Sequence, residues 1–237
     1  MASDQQVLDA LYRQSFLHFA KRAFFEVEPA TGFEDNWHLD CISQHLEAVE
    51  RGEIKRLIIT IPPRTLKSYL VARAFPAWVM GRQPNKKFIV SSYGHEVAEQ
   101  NSLACRRIMK SPWYMNLFKG TRINSEVDRN THFETTMAGQ YYAASALSPV
   151  TGIGCDMLLL DDLIKPMEAG SETIRNSTNE NMRTTFFSRL NDKRNGAIIL
   201  VMQRVHEDDP AGHLLKDGGW VHLKLPAEAF EDIVIEL

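Results

Sequence analysis

Lys67 and Ser68 open a helical pattern directly after a short apolar run and a Pro62-Pro63-Arg64 turn. A strand feeding a helix N-terminus presents unpaired backbone N–H groups, which suit a polyphosphate. A lysine ammonium can reach outer phosphates as a compact charge, and a serine hydroxyl can ligate Mg2+. The segment from Arg56 to Leu70 therefore reads as a phosphate-binding loop. Its glycines are missing: the pattern G-x-x-x-x-G-K-[ST] would put them at Ile61 and Leu66. Glycine reaches positive φ cheaply and lets backbone approach a phosphate. Taken alone, the loop is as well read as an ordinary strand-to-helix turn.

A second pair of residues tips the balance. Cys155-Asp-Met-Leu-Leu-Leu-Asp-Asp162 is an apolar run of strand length ending in two carboxylates. Such a run suits a parallel strand buried on both faces, and ligands of open α/β sheets bind at strand carboxyl ends. There one carboxylate of the Asp161-Asp162 pair can hold Mg2+ while its neighbour orients an attacking water. A strand ending in a turn rich in Asp is the bland alternative. Lys67-Ser68 makes it the weaker one.

These side chains need elements to carry them. Helical spacing of Val7, Leu8, Leu11, Phe16 and Phe19 predicts one helix from about Gln5 to Phe25, and Trp37 to Glu50 a second, stopped by Gly52. Arg56 to Ile61 is a strand. The helix opening near Lys67 contains Pro76, which should kink or end it. Lys87 to Ser92 is a strand, followed by a helix from Gly94 to Lys110. Phe133 to Ser145, turning at Ala138-Gly139, predicts a hairpin. Ser177-Thr-Asn-Glu180 matches a capping box ahead of a helix ending near Leu190. Ala197 to Met202 is another buried strand. Asp209-Pro210 starts a short helix that Gly218-Gly219 closes, and Trp220 to Leu225 is a last strand. His206-Glu207-Asp208-Asp209 is better read as that helix's N-terminus than as a metal cluster.

Strands alternating with helices predict an α/β fold with a mostly parallel sheet flanked by helices. The strand at 87–92 is expected to separate the loop from the carboxylates within the sheet. An added central strand of this kind marks the ASCE type of P-loop NTPase. The expected division is a helical segment or lid over 1–52, packed on a core over 53–237 that carries the hairpin as an insertion.

At 237 residues, 44% hydrophobic and 24% charged, the chain has the composition of an ordinary globular protein. No apolar run approaches the ~20 residues of a membrane span. Cys41, Cys105 and Cys155 lack C-x-x-C spacing and read as reduced thiols. A net charge of −3 means that any nucleic-acid contact must be local or multiplied by assembly.

Eight short pieces, in order, resemble the ATPase domain of the tailed-phage terminase large subunits. They are Trp37-His38, Gly52 to Ile59, Pro62 to Ser68, Phe75-Pro-Ala-Trp78, Ser92-Tyr93, Thr151-Gly-Ile-Gly154, Leu159 to Asp162 and Gln203 to Asp209. The resemblance implies Mg2+-dependent ATP hydrolysis that drives double-stranded viral DNA into a procapsid. It implies an ATP site of Pro62, Pro63, Arg64, Thr65, Leu66, Lys67 and Ser68, with Trp37 and His38 near adenine. Ser68 and Asp161 would hold Mg2+; Lys67, Arg64 and Asp162 would serve catalysis, Asp162 standing where many members carry glutamate. Gln203 and Arg204 fall at the family's coupling motif. Portal protein, small terminase subunit and DNA are the implied partners, in the host cytoplasm. The subunit would be a ring on the portal and a monomer alone, with no membrane contact. Arg64, Arg106 and Arg107 are candidates to act on a neighbour's site. The family usually continues into a nuclease domain, so this chain is expected to be the motor portion. Two alternatives stay open: an assembly module with a degenerate loop and little turnover, and a P-loop small-molecule kinase.

Overall fold

The apolar runs of the chain become the middle of one sheet. A computed structural model describes residues 3–228. Its strands are β1 (Arg56–Thr60), β2 (Lys87–Ser92), β3 (Ile123–Asp128), β4 (His132–Thr135), β5 (Gln140–Ser145), β6 (Met157–Asp161), β7 (Ala197–Met202) and β8 (Val221–Lys224). They lie in the order β3-β4-β5-β2-β6-β7-β1-β8. Strands β5 to β8 of that row are parallel, and β3 and β4 add an antiparallel edge. The helices are α1 (Asp4–Gln14), α2 (Phe16–Val27), α3 (Trp37–Glu50), α4 (Phe75–Arg82), α5 (His95–Lys110), α6 (Pro112–Leu117), α7 (Glu172–Asn181) and α8 (Pro210–Leu215).

Alternate residues of the central strands supply two cores. Leu57, Ile59, Leu159, Ile199 and Val201 face α2 to α5, where Phe16, Phe19, Leu46, Phe75 and Trp78 complete the cluster. Ile58, Leu158, Leu160, Ile198 and Leu200 face the other way, against Met182, Phe186 and Leu214. Both faces of β6 and β7 are thus covered, which is why their sequences read as unbroken apolar runs. The N-terminal helices share the first core with the sheet rather than forming a core of their own.

Several elements differ from expectation. The first helix is two: Ser15 is extended (φ −108°, ψ 118°), and α2 starts with the Phe16 N–H donating to Glu47 Oε1 at 2.6 Å. The break lets Phe16 and Phe19 bury fully while Val7 and Leu8 stay exposed. Pro76 does not end a helix: it is the second residue of α4. A π-helical turn over Tyr69–Ala74 precedes it, and the Tyr141 hydroxyl donates at 2.9 Å to the Ala72 carbonyl, whose usual i+4 donor a proline lacks. The helix expected after a cap at Ser177 starts earlier, capped by Ser171, with Thr178 and Asn179 buried inside it. The expected hairpin is β4–β5, and β5 also pairs with β2, so it belongs to the main sheet.

The strand order corrects one inference directly. β7, at 197–202, separates the loop strand β1 from the carboxylate strand β6; the strand at 87–92 lies on the far side of β6. Loop and carboxylates therefore start two inter-strand spacings apart, about 10 Å.

Candidate active site

β6 delivers Asp161 to the carboxyl edge of the sheet, where it is 1% exposed. Ser68 Oγ donates to Asp161 Oδ1 at 2.8 Å, and Asn101 Nδ2 donates to Oδ2 at 3.2 Å. Burial pushes this carboxyl up to about 6. The adjacent Asp162 charge adds to the rise, and the bonds from Ser68 and Asn101, then the charge of Lys67, oppose it. Two hard oxygen donors side by side, Ser68 Oγ and Asp161 Oδ1, fit Mg2+, which keeps waters and phosphate oxygens for its remaining positions.

Asp162 turns out of the strand with φ at +44°. That left-handed backbone costs about 1–3 kcal/mol. It is anchored by hydrogen bonds from its N–H to Val201 O and from the Tyr93 N–H to its carbonyl. The fully buried Leu158, Leu159 and Leu160 behind it each contribute about 1.5–3 kcal/mol, enough to hold the turn. The side chain then meets two partners: Lys67 Nζ at 2.9 and 3.1 Å, and the Gln203 N–H at 3.1 Å. Gln203 reaches it because β7 ends between the loop and β6.

The loop takes the shape that its missing glycines would have eased. Arg64 (φ 62°) and Leu66 (φ 60°) are both left-handed. Thr65 Oγ1 donates to Pro62 O at 2.9 Å, and His38 Nε2 sits 3.2 Å from Thr65 O. Around the loop lie two clefts of about 410 Å3 each. One is lined by Pro63 to Tyr69, Arg73 and Asp162. The other is lined by Phe24, Glu34, Asn36, His38 and Leu39 together with Arg64, Thr65 and Leu66. The three shared loop residues form the wall between them, so an elongated ligand can place a charged end in one cleft and a flat ring in the other.

Not every candidate converges on this point. Trp37 is 60% exposed at the start of α3, beside His38 but outside the lining of either cleft. Arg204 is turned away: its Nε donates to the buried Asp209 at 2.9 Å, and Asp209 also caps α8 through the Gly212 N–H at 2.8 Å. Pro62, Pro63, Gln203 and Arg204 share a further cleft of about 350 Å3 with Lys224. Arg106 is held by Asp128 at 2.6 Å, and Arg107 by the Val27 carbonyl, whereas Arg64 is exposed.

Two polar residues escaped sequence reasoning. Asn101 lies in α5 at a position that continues the buried stripe Ala98, Cys105, Ile108. A polar side chain on an apolar stripe was the available signal. Arg73 lies in the π-helical turn, and its Nε donates to Asn101 Oδ1 at 2.7 Å.

No protein-family model matches the chain, and no curated protein does either. Solved structures do. The large terminase of bacteriophage HK97 matches with a TM-score of 0.56 and 17% identity, over 93% of this chain and 45% of that one. This chain thus spans less than half the length of that relative. The ATPase domain of the large terminase of Thermus phage P74-26 matches at a TM-score of 0.40 and 14% identity, over 76% of this chain and 69% of that one. The eight-stranded, mostly parallel α/β fold is shared with the first of these.

Proposed function

We propose that this chain hydrolyses ATP with Mg2+ and is the motor portion of a tailed-phage terminase large subunit, driving double-stranded DNA into a procapsid. One observation carries the chemistry: although β7 separates β1 from β6, Lys67 Nζ lies 2.9 Å from Asp162 and Ser68 Oγ lies 2.8 Å from the buried Asp161, with Lys67, Ser68 and Asp162 lining one cleft. The fold held in common with the HK97 large terminase supports the biological setting.

The residues divide the work by chemistry. Backbone N–H groups at the opening of the helix after Leu66, together with the Lys67 ammonium, bind phosphate oxygens. Ser68 and Asp161 would hold Mg2+, which when bound would supply positive charge to the phosphates. Asp162, oriented by the Gln203 N–H, accepts a hydrogen bond from the attacking water and keeps it in line. Arg64, exposed and permanently charged, serves this site or a neighbour's. His38 and the cleft behind the loop take the nucleoside.

Leu66 and Arg64 already hold left-handed backbone without glycine, which argues against a degenerate loop. A carboxylate held beside Lys67 by the Gln203 N–H and free to orient water supports hydrolysis over transfer to a small-molecule acceptor. DNA, portal protein and small subunit are the partners this reading requires.

The test is phosphate release from ATP with no acceptor added, with and without Mg2+ and duplex DNA. Wild type is expected to release phosphate only with Mg2+, and Lys67→Ala to release none. A Lys67→Ala rate equal to wild type would discard the reading.

A further inference from the structure

Arg73 lines the same cleft as Lys67 and Asp162, half-buried in the turn that follows Ser68. Among the described residues its Nε has one partner, Asn101 Oδ1 at 2.7 Å, and its terminal amino groups have none. The two cations of the cleft therefore differ. Lys67 is neutralised by Asp162 at 2.9 Å, while Arg73 has no carboxylate. A guanidinium stays protonated at any physiological pH, and partly desolvating it without an anion is costly. Its fork also matches phosphate oxygens better than an ammonium does.

Asn101 explains why Arg73 stays there. Fully buried, it accepts from Arg73 through Oδ1 and donates through Nδ2 to Asp161 Oδ2 at 3.2 Å and Ser92 Oγ at 3.3 Å. Arginine can only donate and an ionised carboxylate can only accept, so a side chain that bridges the two must both accept and donate, as Asn101 does. Aspartate there would repel Asp161, and leucine would orphan both neighbours.

We propose that Arg73 is a second phosphate-contacting cation of this cleft, tethered by Asn101 to the Mg2+-binding carboxylate of Asp161. This rests on the ATP-site reading above. Arg73 supplies the unpaired charge that meets the triphosphate before Lys67 leaves Asp162, and Asn101 is the positioning residue that ties the arrival of the phosphates to the orientation of Asp161.

Equilibrium binding of a fluorescent ATP analogue, first in EDTA and then across a Mg2+ titration, tests this, with unfolding midpoints recorded for each variant. In EDTA, Arg73→Ala is expected to bind about tenfold or more weakly than wild type, and Arg73→Lys, which keeps the charge but not the fork, to fall between the two. Asn101→Leu is expected to raise half-saturating Mg2+ by about threefold or more while its EDTA affinity stays within about threefold. If Arg73→Ala binds within about twofold of wild type while Lys67→Ala loses binding, the inference is overturned and the ATP site stands. A folded Arg73→Lys that binds as poorly as Arg73→Ala overturns it too, as does an unchanged Mg2+ dependence in Asn101→Leu for the tether. If wild type and Lys67→Ala bind alike, the ATP-site reading itself fails.

Discussion

Lys67 Nζ sits 2.9 Å from Asp162 Oδ2 and 3.1 Å from Oδ1, so the ammonium and the carboxylate neutralise each other; in the proposed function the first is the phosphate-binding cation and the second the water-orienting group. An incoming triphosphate must compete with Asp162 for that ammonium. Asp162→Asn removes the competing charge and keeps the shape. The variant is expected to bind ATP at least as tightly as wild type, up to about tenfold tighter, because one ion pair no longer has to be broken. Its hydrolysis rate should fall by about 10²–10⁴ with the loss of the carboxylate that orients water. Equilibrium binding and phosphate release, measured on the same preparation, check both halves. Weaker binding in Asp162→Asn would mean that Asp162 supports the site rather than competing in it.

Leu66 offers a test of the loop's backbone independent of any ligand. Its φ of 60° is a region that a residue with Cβ enters at a cost of about 1–2 kcal/mol. Leu66→Gly and Leu66→Ala both remove most of a side chain that packs against the first core, so their packing losses nearly cancel in comparison. What remains is backbone strain in alanine against extra chain entropy in unfolded glycine. Glycine is expected to be the more stable by about 0.5–1 kcal/mol, the reverse of the order in ordinary helical positions. Denaturant midpoints of the two variants decide it, and an alanine variant that is the more stable would refute the left-handed assignment.

The residues that sequence reasoning located are those whose signal is local. β2 and β7 coincide with the apolar runs at 87–92 and 197–202, and the Asp161-Asp162 pair was visible because a continuous buried run ends in it. Strand order is not local: nothing in the periodicity of Ala197–Met202 says that it inserts between β1 and β6. Asn101 and Arg73 belong to the site only because α5 and the π-helical turn pack side by side, which no spacing within either segment encodes. Ser171 and Ser177 both look like helix caps, and the choice fell to the earlier one, whose helix buries Arg175, Thr178 and Asn179.

The Ala72 carbonyl depends on Tyr141. Pro76 has no N–H to offer it, and the Tyr141 hydroxyl, fully buried, donates at 2.9 Å. Tyr141→Phe leaves a buried carbonyl short of a partner and should cost about 1–3 kcal/mol in unfolding free energy. Pro76→Ala restores a backbone donor in the same helix. Tyr141→Phe is therefore expected to cost less in a Pro76→Ala background than in wild type, a coupling that a double-mutant cycle reads directly. Strict additivity would show that the hydroxyl and the proline do not act on the same carbonyl.

Asp161 makes stability depend on pH in a direction opposite to most carboxylates. Burial, helped by the Asp162 charge, raises it from an ordinary 3.8 to about 6. The folded protein therefore holds this proton more tightly than the unfolded chain. The stability so gained is complete below about pH 4 and is lost as pH rises through about 6. From 3.8 to about 6 the difference amounts to about 3 kcal/mol at most. Asp161→Asn cannot ionise and escapes this loss. Without nucleotide, its stability relative to wild type should climb across pH 4 to 6 and level off above, while its Mg2+-dependent nucleotide binding disappears. The same window makes a sharper demand on wild type: Mg2+ needs the ionised carboxylate, so added Mg2+ and nucleotide should stabilise it more at pH 7 than at pH 5. A stability difference between the two proteins that stays flat from pH 4 to 7 would mean that Asp161 is not the buried, proton-holding group these contacts describe.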